Sequence, residues 1–133
     1  MSQQNVETVR RMMAAYADGD IEGMLTFIDP SAELHSAIIG GAEGRVYRGH
    51  AGFRAWFAET QTAFDVLTTV LTDLRDLGDR VIGFGRIHAK GRESGLELDS
   101  YTGWVFTLRG GKIVRAQGYL DSAGALEAAG LSE

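Results

Sequence analysis

The second half of the chain carries four successive segments with the apolar–polar alternation of half-buried strands. These segments span residues 66–74, 80–90, 96–108 and 112–120. The connections between them read DLGD, GRESG and RGGK, and each contains the glycine or aspartate that tight hairpins need. This pattern predicts an antiparallel meander in which each strand pairs with the next.

The first half of the chain has the residue spacing of amphipathic helices. A first helix, ending near Asp18-Gly19, is predicted from Val6, Val9, Met12, Met13 and Tyr16. Asp20 is predicted to cap a second helix that Asp29-Pro30-Ser31 ends. The apolar residues of that second helix are Met24, Leu25, Phe27 and Ile28. A third helix is predicted from Phe53, Trp56, Phe57, Thr60 and Phe64.

Three further segments complete the predicted domain. Residues 32–38 (AELHSAI) predict a first strand, and the glycine-rich stretch IGGAEGRVYRG predicts a loop in which residues 40–44 gate entry to a site. Residues 122–129 predict a short final helix that ends at Gly130. Helices followed by a meander predict a single α+β domain over residues 1–133. Its curved antiparallel sheet is expected to form a cone that encloses a cavity.

Composition excludes several classes of protein. The chain has 133 residues, the size of one domain, and its scattered basic residues and net charge of −5 disfavour nucleic acid as a partner. The absence of cysteine excludes disulfides, thiolate metal sites and cysteine nucleophiles. The three histidines lack the spacing of ligand pairs, so no metal is expected. With no signal peptide or membrane-spanning apolar run, a cytoplasmic protein without a membrane partner is expected.

The strand VIGFGRIHAKG contains the most informative polar residues, Arg86 and His88. They are two positions apart, so on a strand they share a face. They form either the polar wall of a pocket or a solvent-exposed surface, with Arg86 paired to an acid such as Glu97 or Asp99. The GFG motif lies within a strand and does not open a helix, so no dinucleotide site and no cofactor are expected.

Four stretches taken in order carry a family resemblance: AAYADGDIEGMLTFIDPSAELHS, VYRGHAGFRAWF, GDRVIGFGRIHAKG and WVFTLRGGKIVRAQGYLD. From about Val6 to Leu131 the chain resembles the SnoaL-like branch of the nuclear transport factor 2-like superfamily. The resemblance implies a cystatin-like cone whose open end accepts small apolar molecules. Members include ketosteroid isomerases, polyketide cyclases, limonene-epoxide hydrolases, scytalone dehydratases and non-catalytic binding modules.

Carried over by position, the catalytic residues of these relatives are largely absent. The base, the oxyanion tyrosine and the protonated aspartate of ketosteroid isomerases fall at Ser36, Met12 and Trp104. The residues that hold the water in limonene-epoxide hydrolases fall at Leu34, Ser36 and Gly118. A ketosteroid-isomerase mechanism is therefore not expected.

One polar motif of the hydrolases is partly kept, since their Arg-x-Asp matches Arg86-Ile87-His88. The resemblance implies that Arg86 and His88 point into the cone, where Arg86 stabilises negative charge and His88 transfers a proton. The hairpin through GRESG is expected to place Ser100 and Thr102 beside them. The residues expected to bind substrate are Tyr16, Ser36, Trp56, Ser100, Thr102, Trp104 and Gly118.

These observations favour a cofactor-independent isomerase, cyclase or hydrolase that acts on a small hydrophobic molecule of polyketide, steroid or terpene type. The alternatives are a non-catalytic ligand-binding module and a dimerisation module of the same fold. A homodimer is also expected, because family members commonly pair through the convex face of the sheet. The face assigned to this contact carries Gly83, Gly85, Ile87 and Ala89, which are small and apolar for a solvent-exposed surface.

Overall fold

The computed structural model describes residues 2–37 and 45–130. The expected gate at residues 40–44 lies outside this part of the chain. None of the described helices is long and apolar enough to cross a membrane. The described elements are, in order, α1 (Ser2–Ala17), α2 (Ile21–Leu25), β1 (Ile28–His35), β2 (Tyr47–Arg48), α3 (Gly49–Ala63), β3 (Phe64–Asp76), β4 (Arg80–Gly91), β5 (Glu97–Arg109), β6 (Lys112–Tyr119) and α4 (Ser122–Ala128).

The six strands form one curved, unclosed sheet in the order β2-β1-β6-β5-β4-β3. The meander β3-β4-β5-β6 is antiparallel throughout, while β1 pairs with β6 in parallel. The register shifts between Leu71 and Asp73 in β3, and between Ile113 and Arg115 in β6, which leaves one residue unpaired at each place, as in a bulge. Bulges bend strands and increase their twist. The α+β class and the curved sheet are confirmed.

The prediction for residues 21–38 is wrong in detail. Helix α2 ends at Leu25, and Asp29-Pro30-Ser31 lies inside β1 instead of ending a helix. The pairing of β1 with β6 is irregular between Ile28 and Glu33. Pro30 lies in this stretch, where its missing backbone N–H interrupts no regular hydrogen bond between the strands. The side chain of Asp29 accepts hydrogen bonds from the backbone N–H and the hydroxyl of Ser31, which stabilise the backbone in this irregular stretch. The short strand β2 was predicted as loop.

The two faces of the sheet are covered differently. Residues of α1, α2 and α3 pack with the inner face in the main core, around Val9, Phe53 and Phe106. Helix α4 covers one part of the outer face, where Ala125 and Ala129 join a second, smaller core. A Cβ on Gly103 of β5 would lie 2.5 Å from the Cβ of Ala125, so only glycine allows this close approach.

Candidate functional site

The orientation of β4 decides which residues reach the interior. Ile87 is only 3% exposed and lines a cavity beneath the helices. Its neighbours Arg86 and His88 leave 53% and 45% of their side-chain surfaces exposed on the opposite face of the sheet. The expectation that Arg86 and His88 point into the cone is therefore wrong, because alternate residues of a strand face opposite sides.

On the outer face, Arg86 has partners of its own. Its guanidinium donates to the carboxylate of Asp99 at 2.8 Å and lies 4.7 Å from the ring centre of Tyr101. The hydrogen bond from Arg86 to Asp99 raises the pKa of the guanidinium. The imidazole of His88 lies 3.9 Å from the carboxylate of Glu97. This is the solvent-exposed alternative, with Arg86 paired to an acid.

The register of the β4–β5 hairpin shows the same error. Ile87 pairs with Ser100 and Arg86 pairs with Tyr101, whereas the expected arrangement placed Thr102 beside Arg86. That expectation differs from the observed register by one residue. A shift of one residue moves every side chain of a strand to the other face.

The same reversal affects the surface assigned to the dimer contact. Ala89 is 2% exposed, and a Cβ on Gly83 would lie 2.8 Å from the side chain of Leu71, which packs against the main core. With Ile87, these positions belong to the inner face, so the assignment of this face to a contact between protomers is wrong. Gly85 is required for a different reason, since a Cβ there would overlap the carbonyl oxygen of Val70.

A cavity of about 50 Å³ lies between the inner face of the sheet and helices α1, α2 and α3. Most of its lining is apolar, and Met12, Met13 and Met24 contribute flexible side chains to it. Its described lining residues include no carboxylate, imidazole, amine or guanidinium. The lining side chains that carry an oxygen or a nitrogen are Tyr16, Ser36, Trp56, Thr69, Thr102 and Trp104.

Five of the residues expected to bind substrate line this cavity: Tyr16, Ser36, Trp56, Thr102 and Trp104. Two others are absent from its described lining. The hydroxyl of Ser100 donates to the backbone carbonyl oxygens of Tyr101 at 3.1 Å and Leu120 at 3.5 Å. Gly118 lies beneath the indole of Trp104, where a Cβ would be 2.8 Å from the ring.

Sequence reasoning missed other lining residues. Met12, Met13 and Met24 were recognised as apolar helix positions, but they were given no role in binding. Thr69 and Ile87 could be identified as lining residues only if the inner faces of β3 and β4 were known. The alternation of these strands alone did not show which face is the inner one. A signal for them lies on β5, where alternation groups Thr102, Trp104 and Phe106 on one face, and the pairing with β5 fixes the face of β4.

The positions carried over from ketosteroid isomerases are brought together in the interior. Ser36, Met12 and Trp104 all line the cavity, and so does Leu34, one of the positions carried over from the hydrolases. None of these four side chains is an acid or a base, so the cavity has no carboxylate at the positions that the resemblance assigns to catalysis.

Among the described residues that line the cavity, Tyr16 is the one with a titratable side chain. Its ring stacks on Trp56 with centroids 5.9 Å apart and meets Phe57 edge-on at 6.5 Å. Burial raises the pKa of the Tyr16 phenol, and a hydrogen bond with the hydroxyl of Thr69 acts in the opposite direction. Tyr16 is therefore neutral at pH 7 and suited to donating a hydrogen bond.

Trp56 has an unusual environment for a buried indole. The residue is 6% exposed, and its Nε1 has no hydrogen-bond acceptor among the described residues. By contrast, the buried hydroxyl of Thr102 donates to the carbonyl oxygen of Tyr119 at 2.8 Å. Burying a donor without an acceptor costs about 1–3 kcal/mol. Trp56 therefore lines the cavity and carries one unsatisfied buried donor.

The chain is similar to several proteins of known structure. The chain resembles a nuclear transport factor 2-like protein from Burkholderia thailandensis E264, with 28% identity over 95% of each chain and a TM-score of 0.80. It also resembles TerC, in a structure co-crystallised with polyporic acid, with 26% identity over 96% of this chain and 98% of TerC and a TM-score of 0.78.

A more distant structure shares the fold. It is a protein with a ketosteroid isomerase-like fold from Catenulispora acidiphila DSM 44928, with 18% identity over 94% of this chain and 93% of that chain and a TM-score of 0.74. No protein of curated function matches the chain. The sequence profile of the SnoaL-like domain matches residues 9–116. The chain therefore belongs to the SnoaL-like domain family.

Proposed function

We propose that the protein binds one small, largely apolar molecule in the cavity between the inner sheet face and α1–α3. The observation that carries this proposal is the lining, in which the described residues are uncharged and mostly apolar. Apolar walls with a few fixed polar groups are typical of small-molecule sites. The co-crystallisation of TerC, 26% identical, with polyporic acid supports small-molecule binding in this fold.

The cavity must expand to hold such a ligand. Its volume of about 50 Å³ has room for only a few water molecules, each needing about 10–15 Å³. A groove of about 240 Å³ lies beside it between α1 and β3, and both are lined by Met13 and Thr69. Movement of the flexible Met13 side chain would join the two spaces. Together they approach the lower end of the range for ligand sites, about 300 Å³.

Catalysis is a second candidate function, and Tyr16 is the observation that favours it. A cofactor-independent isomerase, cyclase or hydrolase needs a group that acts on the substrate, and Arg86 and His88 lie on the outer face. The neutral phenol of Tyr16 could stabilise negative charge developing on a substrate oxygen. If catalysis occurs, Tyr16→Phe will lower turnover while ligand affinity changes little. Equal loss of both would limit Tyr16 to binding.

Binding is tested by filling the cavity. Ala116 lines it and is 4% exposed, so Ala116→Leu adds side-chain volume inside. Ala58→Leu makes the same change on the exposed surface of α3 and serves as the control. We expect small aromatic compounds to raise the melting temperature of the wild type and of Ala58→Leu, but not of a folded Ala116→Leu. An equal rise in all three proteins would overturn the proposal.

A further inference from the structure

We infer that the ligand presents a neutral hydrogen-bond acceptor, of the carbonyl or ether type, to the indole N–H of Trp56. This inference rests on the proposed binding function and adds the chemical class of the ligand. Among the described residues, Nε1 of Trp56 is the only buried side-chain nitrogen or oxygen without a hydrogen-bond partner. Buried polar groups are nearly always paired, and such an exception requires an explanation.

Packing alone does not require a side chain with an N–H group at position 56. A phenylalanine would supply an aromatic ring without an N–H group. Other buried donors of the interior are satisfied locally, as when the hydroxyl of Thr60 donates to the carbonyl oxygen of Phe57 at 2.6 Å. The stacked ring of Tyr16 also restrains the plane of the indole. The N–H is therefore held in a fixed direction with no acceptor in the described part of the protein.

The acceptor must be neutral because the described residues that line the cavity around Trp56 provide no cation to balance an anion, and Arg10 lines the adjoining groove instead. Burying an unpaired carboxylate would cost far more than one hydrogen bond returns. The indole is a donor only, so a ligand N–H in the same place would face another donor. A carbonyl or ether oxygen fits best, since it accepts a hydrogen bond and brings no hydrogen that needs its own acceptor.

Access to the nitrogen requires a small rearrangement. Nε1 is fully buried, so a ligand oxygen reaches it only after a neighbouring side chain moves. Met12, Met13 and Met24 line the same cavity, and methionine side chains change rotamer more readily than branched or aromatic ones. The cavity thus combines a fixed donor with adaptable apolar walls.

The test compares acetophenone with α-methylstyrene, in which a CH₂ group replaces the carbonyl oxygen at almost unchanged shape. Affinities are measured for the wild type, Trp56→Phe and Trp104→Phe. The last is the matched control, because Trp104 is the other tryptophan of the chain and lines the same cavity. We expect the wild type and Trp104→Phe to prefer acetophenone by about ten-fold, and Trp56→Phe to lose this preference.

The wild type also gives a direct readout that does not depend on a variant folding. With two tryptophans, the ¹H–¹⁵N spectrum contains two indole signals, which Trp104→Phe assigns. Acetophenone should move the Trp56 signal downfield, and α-methylstyrene should not. If both compounds bind with equal affinity and leave the indole proton without a downfield shift, the inference is wrong and the proposed function stands. If neither compound binds, the proposed function fails for ligands of this size, and the inference fails with it.

Discussion

The opposite orientations of Arg86 and Ile87 predict opposite effects for substitutions at two adjacent residues. Arg86→Met removes an ion pair and a ring contact from the solvent-exposed face of β4. Ile87→Ala removes apolar side-chain volume from the inner face, beside the cavity. We therefore expect Arg86→Met to leave stability and ligand binding nearly unchanged, and Ile87→Ala to lower stability and to change ligand affinity.

The size of the Ile87→Ala effect follows from its burial. The substitution removes three carbon atoms, worth about 0.8 kcal/mol each by transfer from water. The space left behind adds a further penalty, because the surrounding structure collapses only in part. The expected loss in the free energy of unfolding is about 3 kcal/mol, within the ordinary range for such truncations. For Arg86, the guanidinium and the Asp99 carboxylate are both more than half exposed, and pairs of this kind contribute little.

Two measurements on each variant distinguish the faces. Urea unfolding gives the free energy of unfolding, and calorimetric titration with acetophenone gives the affinity. Ile87→Val, expected to cost about 1 kcal/mol, checks that the loss at this position grows with the volume removed. A loss of stability greater for Arg86→Met than for Ile87→Ala, or a loss of acetophenone affinity in Arg86→Met alone, would refute the orientation of β4.

Three other predictions concern pH, the cavity wall and assembly. Because burial raises the pKa of Tyr16 above 10.0, its contribution to stability is complete below that pH and declines as pH rises above it. Tyr16→Phe should therefore show a smaller fall in melting temperature between pH 9 and pH 11, and an unchanged fall would contradict this. Gly118→Ala should push the indole of Trp104 toward the cavity and shift its ¹H–¹⁵N signal. The free energy of unfolding should fall by about 1–3 kcal/mol. An unchanged signal would show that the added methyl group does not displace the ring. We expect the contact of the homodimer on the outer face of the sheet, where Val70 and Tyr101 are exposed. Sedimentation of the wild type as a monomer at micromolar concentration would disprove it.

Local chemistry made the strands predictable. The hairpin sequences DLGD, GRESG and RGGK placed β3 to β6 with ends within two residues of those observed, because glycine at a positive φ is required at specific turn positions. Asp20 caps α2 as predicted by accepting the N–H of Gly23 at 2.9 Å. These features depend on a few neighbouring residues, and the sequence contains them directly.

The face of β4 was not predictable from the alternation of β4 itself, because it depends on the register with β5 and on packing against α4. Both faces of this strand bury apolar residues, since Val81 and Ile87 pack inside while Ile82 packs under α4. With apolar side chains on both faces, Arg86 and His88 do not identify which face is solvated. The position of α4 on the outer face supplies this information, and it depends on tertiary packing.

The distribution of polar groups limits the chemistry that the cavity can support. Among the neutral donors of its described lining, Tyr16 and Trp56 are held by stacking on each other, and the described lining contains no carboxylate or imidazole. Proton abstraction from a substrate needs a group whose pKa lies near the working pH, and burial moves the pKa of Tyr16 further from it. Donors held in place by stacking can still polarise a carbonyl group, since they need no reorganisation when charge develops. Selection among ligands at this site would therefore depend on apolar shape and on the position of an acceptor oxygen. Any catalysis would act through electrostatic stabilisation of that oxygen.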